Sequence, residues 1–157
     1  MKIKVLLCNC KGLCDSFKQN DFNSLPFQVE SDLDVQYSIL HPQLCGQGGN
    51  AVLIDVLKNA DSETYVLCGA CAPAAQKKLF KKILRTTGVS AERFVPVDIR
   101  MTDNDGVMAR LREKVEEILR KARPNKAETA PAEVPDGELP SCTCSGLVRE
   151  EEEQRVS

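Results

Sequence analysis

Four short apolar runs, separated by stretches with helical spacing, constrain this chain more than any other feature. Residues 2–8 (KIKVLLC), 34–40 (DVQYSIL), 63–68 (ETYVLC) and 93–98 (RFVPVD) are strand-length and rich in β-branched or aliphatic side chains. Between them the period changes. Residues 50–59 place Leu53, Ile54 and Leu57 on one helical face. Residues 73–86 open on Pro73, a favoured first helical position, and stop before Gly88. Their expected apolar face is Ala75, Leu79, Phe80, Ile83 and Leu84. Residues 104–122 repeat Val107, Leu111, Val115, Ile118 and Ala122 among charges. The segment between the first two strands is weakly patterned and fits a short helix or a loop. Strand–helix alternation implies an α/β fold, a small parallel sheet of about four strands with helices on both faces, Rossmann-like or flavodoxin-like. Pro96 cannot donate to a ladder, so it sends the fourth strand to an edge.

The pattern breaks near Pro124. From residue 123 to Ser157 the chain carries four of its eight prolines (Pro124, Pro131, Pro135, Pro140) and the acidic run Glu150 to Glu153. So polar a stretch cannot bury enough surface to offset its ordering entropy. The expected organisation is therefore a domain over 1–122 and a disordered acidic tail over 123–157, with no internal repeat. Only 4% of the residues are aromatic, so aliphatic side chains must fill the core. The net charge of −2 gives no electrostatic footprint for nucleic acid. No apolar stretch is long enough to cross a bilayer. The apolar run at the N-terminus stops at Asn9 without a small-residue cleavage site, which makes it a strand and not a leader. The expected compartment is the cytoplasm.

Eight cysteines in a cytoplasmic chain point to metal ligation or redox chemistry, because thiols there are kept reduced. Cys8, Cys10 and Cys14 follow the first strand. Cys45 follows the second, before a glycine-rich turn and a helix. Cys68 and Cys71 close the third. In a parallel sheet all carboxyl ends share one edge, and ligands collect there. Thiol groups far apart in sequence should therefore converge, with the expected ligands Cys10, Cys45, Cys71 and either Cys8 or Cys14, and Cys68 as reserve ligand or in the shell behind them. Thiolates hold iron–sulfur clusters and structural zinc. Cys45 and Cys71 precede expected helix starts, whose free N–H groups lower thiol pKa. Gly46, Gly48, Gly49 and Gly69 leave room for backbone to approach an inorganic core.

The strings Val5–Gly12 (VLLCNCKG), Leu44–Gly48 (LCGQG) and Cys68–Pro73 (CGACAP) resemble the N-terminal domain of the heterodisulfide reductase A subunit. Leu79-Phe80 and Asp98-Ile99-Arg100 match its helix and its Asn-Ile-Arg segment, so the resemblance spans roughly residues 3–110. It implies a [4Fe–4S] cluster on Cys8, Cys10, Cys45 and Cys71, and a place in flavin-linked electron-transfer complexes. The expected partners are a flavoprotein, a ferredoxin, or hydrogenase- or heterodisulfide-reductase-type subunits. The chain departs from that pattern in three ways. Thr102, Asp103 and Asn104 stand where the family has a further cysteine, Cys14 and Cys68 are extra, and these 157 residues hold no counterpart of the family's large flavin domain or ferredoxin modules. The blocks are also similar to the delta subunit of methyl-viologen-reducing hydrogenase, which implies a [2Fe–2S] centre instead.

Other readings compete. Four cysteines can hold structural zinc without histidine. Cys68-x-x-Cys71 before a helix has the form of a thioredoxin-like dithiol. Free cysteines are also common core residues. The pair Cys142-x-Cys144 reads as a thiol pair in the tail, and His41, the single histidine, as a loop residue. Gly46-x-Gly48-Gly49 lacks the spacing of a dinucleotide fingerprint. Lys77, Lys78, Lys81, Lys82 and Arg85 form a solvated helix face or a dock for an acidic redox partner. No proton-transfer or nucleophilic machinery is apparent, so catalysis would fall to that partner.

Overall fold

The structure is a computed structural model that describes residues 1–122. Within them lie β1 (Lys2–Cys8), α1 (Leu25–Asp32), β2 (Tyr37–His41), α2 (Gln47–Lys58), β3 (Thr64–Ala70), α3 (Pro73–Thr87), β4 (Phe94–Asp98) and α4 (Asn104–Ala122). Short 3-10 turns at Cys10–Gly12 and Asp15–Phe17 separate β1 from α1. The tail expected over 123–157, with Cys142, Cys144 and the acidic run, lies outside the described residues. Among the described residues no helix is long and apolar enough to cross a membrane.

All strands are parallel, in the order β2-β1-β3-β4. Period-two alternation sends successive side chains of β1 to opposite faces. Ile3, Val5 and Leu7 meet Leu25 and Val29 of α1 and Val107, Leu111, Val115 and Ile118 of α4. Leu6 and Cys8 meet Leu53, Val56 and Leu57 of α2 and Phe80 and Ile83 of α3. Each fully buried Leu, Ile or Phe contributes about 1.5–3 kcal/mol, so both helix layers are held by their apolar stripes. Phe80 packs its ring against Phe94 at 5.9 Å between centroids and 74°, an edge-on contact joining α3 to β4. Lys4 is buried under α2, its ammonium donating to the Asn59 carbonyl at 2.9 Å and lying 5.5 Å from the Tyr37 ring centre.

The α/β expectation holds, with β4 at an edge, where Pro96 costs no ladder bond. Details differ for physical reasons. β2 begins at Tyr37 instead of residue 34, because the backbone first turns: Val35 N–H donates to Leu33 O at 2.8 Å. α2 begins at Gln47 and so takes in Gly48 and Gly49. A Cβ on Gly49 would fall 2.1 Å from Gln43 O and 2.4 Å from Leu44 Cα, so packing decides this helix start against propensity. Leu79, expected on the buried face of α3, is 52% exposed. Gln76 takes that place, at the helical spacing shared by Phe80 and Ile83, and is fully buried. The weakly patterned connection resolves into α1, a helix of eight residues with Leu25 and Val29 inward and Pro26 in its first turn.

Candidate metal centre

β1 lies between β2 and β3, so the chain leaves it toward neighbours on opposite sides. Such a reversal opens a crevice at the carboxyl ends of the strands. Cys8 ends β1, Cys10 follows it, and Cys71 follows β3 across that crevice. Cys45 stands in the loop between β2 and α2.

The turn after β1 is unusual. Cys10 (φ 52°), Lys11 (φ 56°) and Gly12 (φ 69°) are successive left-handed residues. For Cys10 and Lys11 this costs on the order of 1–3 kcal/mol each, and surrounding bonds must hold them. Lys11 N–H donates to Asn9 Oδ1 (3.1 Å) and Pro42 O (2.6 Å), and Leu13 N–H to Cys10 O (3.0 Å). The Pro42 bond ties the Cys10 turn to the segment carrying Cys45. A second tie runs beneath it, where Leu44 N–H points at Cys8 Sγ at 3.5 Å. Gly49, with no side chain, lets α2 press on that segment.

Cys71 is fixed from below. Gln76 Nε2 donates to Cys71 O at 2.6 Å and to Val97 O at 3.0 Å, joining the loop after β3 to the end of β4. Gln76 Oε1 is buried without a partner. Arg100 stands nearby. Its guanidinium grips Asp98 at 2.9 and 2.8 Å, which holds that carboxyl below the usual range. Arg110 Nη1 donates to Asp98 O at 2.8 Å and Arg100 O at 3.0 Å, fastening α4 to the same edge.

The thiols sense one another. Burial raises the Cys10 thiol above its ordinary pKa, and the neighbouring Cys8, Cys14 and Cys45 raise it further. Burial likewise raises Cys71, with Cys8 and Cys45 adding to it while Arg100 opposes. Cys10 and Cys71 therefore each lie within electrostatic range of both Cys8 and Cys45. Cys14 is different. Hydrogen bonding from Ser16, hydroxyl first and backbone next, lowers it, and Arg100 adds to the effect.

Not every expected residue joins this group. Cys68 is fully buried between Leu6 of β1 and Pro96 of β4, in the apolar cluster under α2 and α3. Burial pushes its thiol far above the ordinary value. It is a small apolar core residue, and its role as reserve ligand or as half of a dithiol is corrected accordingly, since attack needs an accessible thiolate. Gly69 is also a packing residue. A Cβ there would lie 2.9 Å from Leu7 Cδ2 and 3.2 Å from Ile99 Cγ2, inside the core. Gly46 caps α2 beside Cys45, and the nearest atom to a Cβ on Gly48 would be His41 Nε2, at 4.0 Å. His41 is the last residue of β2, and its Nδ1 accepts from Gln43 N–H at 3.0 Å. Arg100 and Arg110 were assigned no role by sequence reasoning. The available signal was an arginine two residues past the fourth strand, where the thiol edge was expected.

Among the described residues no three His, Cys, Asp or Glu side chains are gathered closely enough to hold one metal ion. Tetrahedral zinc, with bonds of about 2.3 Å, would need its thiolates about 4 Å apart. In a cluster the thiolates are shared among several irons and stand further apart. No protein-family model matches this chain, and no curated protein matches it.

Proposed function

We propose that this chain binds an iron–sulfur cluster at the carboxyl edge of its sheet and passes electrons to a redox partner protein. The ligands are Cys8, Cys10, Cys45 and Cys71, with Cys14 beside them. One observation supports the reading: Cys8, Cys10, Cys45 and Cys71 all stand at the carboxyl edge of the sheet, where Lys11 N–H to Pro42 O (2.6 Å) and Leu44 N–H to Cys8 Sγ (3.5 Å) tie the Cys8–Cys10 turn to the loop carrying Cys45. The four positions are also those that the resemblance to the heterodisulfide reductase A subunit picks out. A cluster bound there would supply one-electron storage.

The surrounding residues suit that task. Cys45 and Cys10 are held in mutual register by the Pro42 carbonyl, and Cys71 by Gln76. The Arg100 guanidinium offsets thiolate charge on the side of Cys14 and Cys71. The raised thiols of Cys10 and Cys71 must release protons on ligation, so loading is favoured at alkaline pH. Cys45 is exposed and Cys10 half-buried, which leaves the centre near solvent, as transfer between proteins requires. The proposed setting is the cytoplasm, with a flavoprotein, ferredoxin or hydrogenase- or heterodisulfide-reductase-type subunit as partner.

The test is anaerobic reconstitution of the full chain with ferrous iron and sulfide. Expected are broad visible absorption, stoichiometric iron and sulfide, and a paramagnetic signal on reduction, whose form separates [4Fe–4S], the favoured type, from [2Fe–2S]. Cys45→Ser and Cys71→Ser should abolish all three, while Cys142→Ser and Cys144→Ser leave them intact. A colourless protein carrying one zinc, or loss of colour only in the Cys142 and Cys144 variants, would refute the proposal.

A further inference from the structure

Helix α3 carries a second surface that the cysteine centre does not use. Lys77, Lys78, Lys81, Lys82 and Arg85 are all exposed on it. None of the five is in an ion pair among the described residues. The contrast is α4, where Lys114 and Lys121 close on Glu117 at 2.8 and 2.7 Å. In a chain of net charge −2, five uncompensated cations on one helix are a marked asymmetry. Beside them lies a groove of about 630 Å³. Lys77, Lys81 and Arg85 rim it, and Leu84, Val89 and Phe94 supply apolar surface, with Glu92 the one acid present. Leu79, 52% exposed, adds an apolar spot on the same helix.

We infer that α3 and this groove dock an acidic amphipathic polypeptide segment, with carboxylates on the lysines and one or two apolar side chains in the groove. The cations alone would suit any polyanion. The groove is what selects a polypeptide, since no exposed aromatic ring stands there to stack a base. A bilayer surface is disfavoured because the apolar stripe of α3, Phe80 and Ile83, is already buried against the sheet. The groove reaches Gly88, at the end of α3 remote from Cys71. From Pro73 to Arg85 the helix rises about 18 Å, so a segment laid along it would run from the groove toward the cysteine edge. The inference does not depend on a cluster being bound.

The test uses the full chain and a fluorescein-labelled helical peptide with Glu on one face and Leu on the other, read by anisotropy. The triple variant Lys77→Glu, Lys81→Glu, Arg85→Glu changes only exposed positions, so its fold is checked simply by circular dichroism. It should bind about tenfold more weakly or worse, each exposed charge pair supplying a few-fold. Raising salt from about 0.05 to 0.5 M should weaken the parent in the same sense. Replacing the peptide leucines by serine should weaken binding at either salt concentration. Equal binding by parent and triple variant overturns the inference, as does equal binding of the leucine-free peptide, which would mean charge alone. Stronger competition by an oligonucleotide or by anionic vesicles assigns the face to those partners and overturns it too. Tighter binding to a chain with Glu150, Glu151, Glu152 and Glu153 changed to Gln would mean that this acidic run competes for the groove, and would overturn an outside partner.

Discussion

Replacing Cys68 separates a core residue from a ligand. The side chain is fully buried among Leu6, Val66, Phe80 and their neighbours. Cys68→Ala removes one sulfur, similar in bulk to a methylene. The lost transfer free energy is about 0.8 kcal/mol. The cavity, at about 24 cal/mol per Å³ over a volume on the order of 20 Å³, adds about 0.5 kcal/mol. The expected cost is therefore about 1–1.5 kcal/mol. Cys68→Ser restores volume but places a hydroxyl in an apolar cluster, where a missing partner costs about 1–3 kcal/mol; it should be the worse of the two. Urea unfolding of the metal-free chain under reducing agent, followed by circular dichroism, measures both. Reconstitution of the same preparations should yield undiminished iron and sulfide. Cys71→Ala should behave in the opposite way, with a smaller stability change, since Cys71 is only half-buried, and lost iron. A Cys68→Ala chain of unchanged stability that fails to hold iron would refute the packing assignment.

The remaining predictions concern the scaffold. Gly49→Ala forces a Cβ to within 2.1 Å of Gln43 O, and backbone cannot yield cheaply. It should cost about 2–4 kcal/mol and lower metal loading by displacing the Cys45 loop. Gly48→Ala, with 4.0 Å of clearance, should instead stabilise by up to about 1 kcal/mol through helix propensity, and urea midpoints compare the two directly. The Asp61 carboxyl is held at about 2, first by the Thr64 hydroxyl and then by Lys2. Its folded value lies below the unfolded one, so its contribution is present above about pH 4 and is lost as pH falls toward 2. Asp61→Asn should flatten the stability profile across that window, and an unchanged acid limb would count against the assignment.

What the sequence made legible follows from which forces are local. The Pro73 start and Gly88 stop of α3 are written in backbone chemistry, and Gly88 does take the left-handed conformation, at φ 70°. Pro96 marks an edge because a missing N–H is a property of the residue itself. That the loops carrying Cys10, Cys45 and Cys71 leave the same edge of the sheet followed from parallel topology alone. What was hidden depends on contacts distant in sequence. Cys68 and Cys71 look equivalent in a C-x-x-C string, but strand alternation turns Cys68 into the α2/α3 layer while Cys71 lies beyond the strand. Gly69 resembles a loop glycine until Leu7 and Ile99 fill the space beside it. Gln76 took the place given to Leu79, and its amide bonds two carbonyls there, part-buried Cys71 O and buried Val97 O. Hydrophobicity ranks Leu79 first, and hydrogen-bond accounting ranks Gln76 first.

The distribution of strain bears on where this fold does its work. Among the described residues the three non-glycine positions with positive φ are Cys10, Lys11 and Met101. All lie in turns at the carboxyl ends of strands, and Met101 N–H reaches across to Ser16 O at 2.7 Å, beside Cys14. A fold optimised for stability alone would place glycine or asparagine there. Tolerating left-handed Cys10 costs stability that the two apolar layers must offset. Strain is thus concentrated where the loops leave the carboxyl edge of the sheet, the edge at which ligands of open parallel sheets collect, and not in the core.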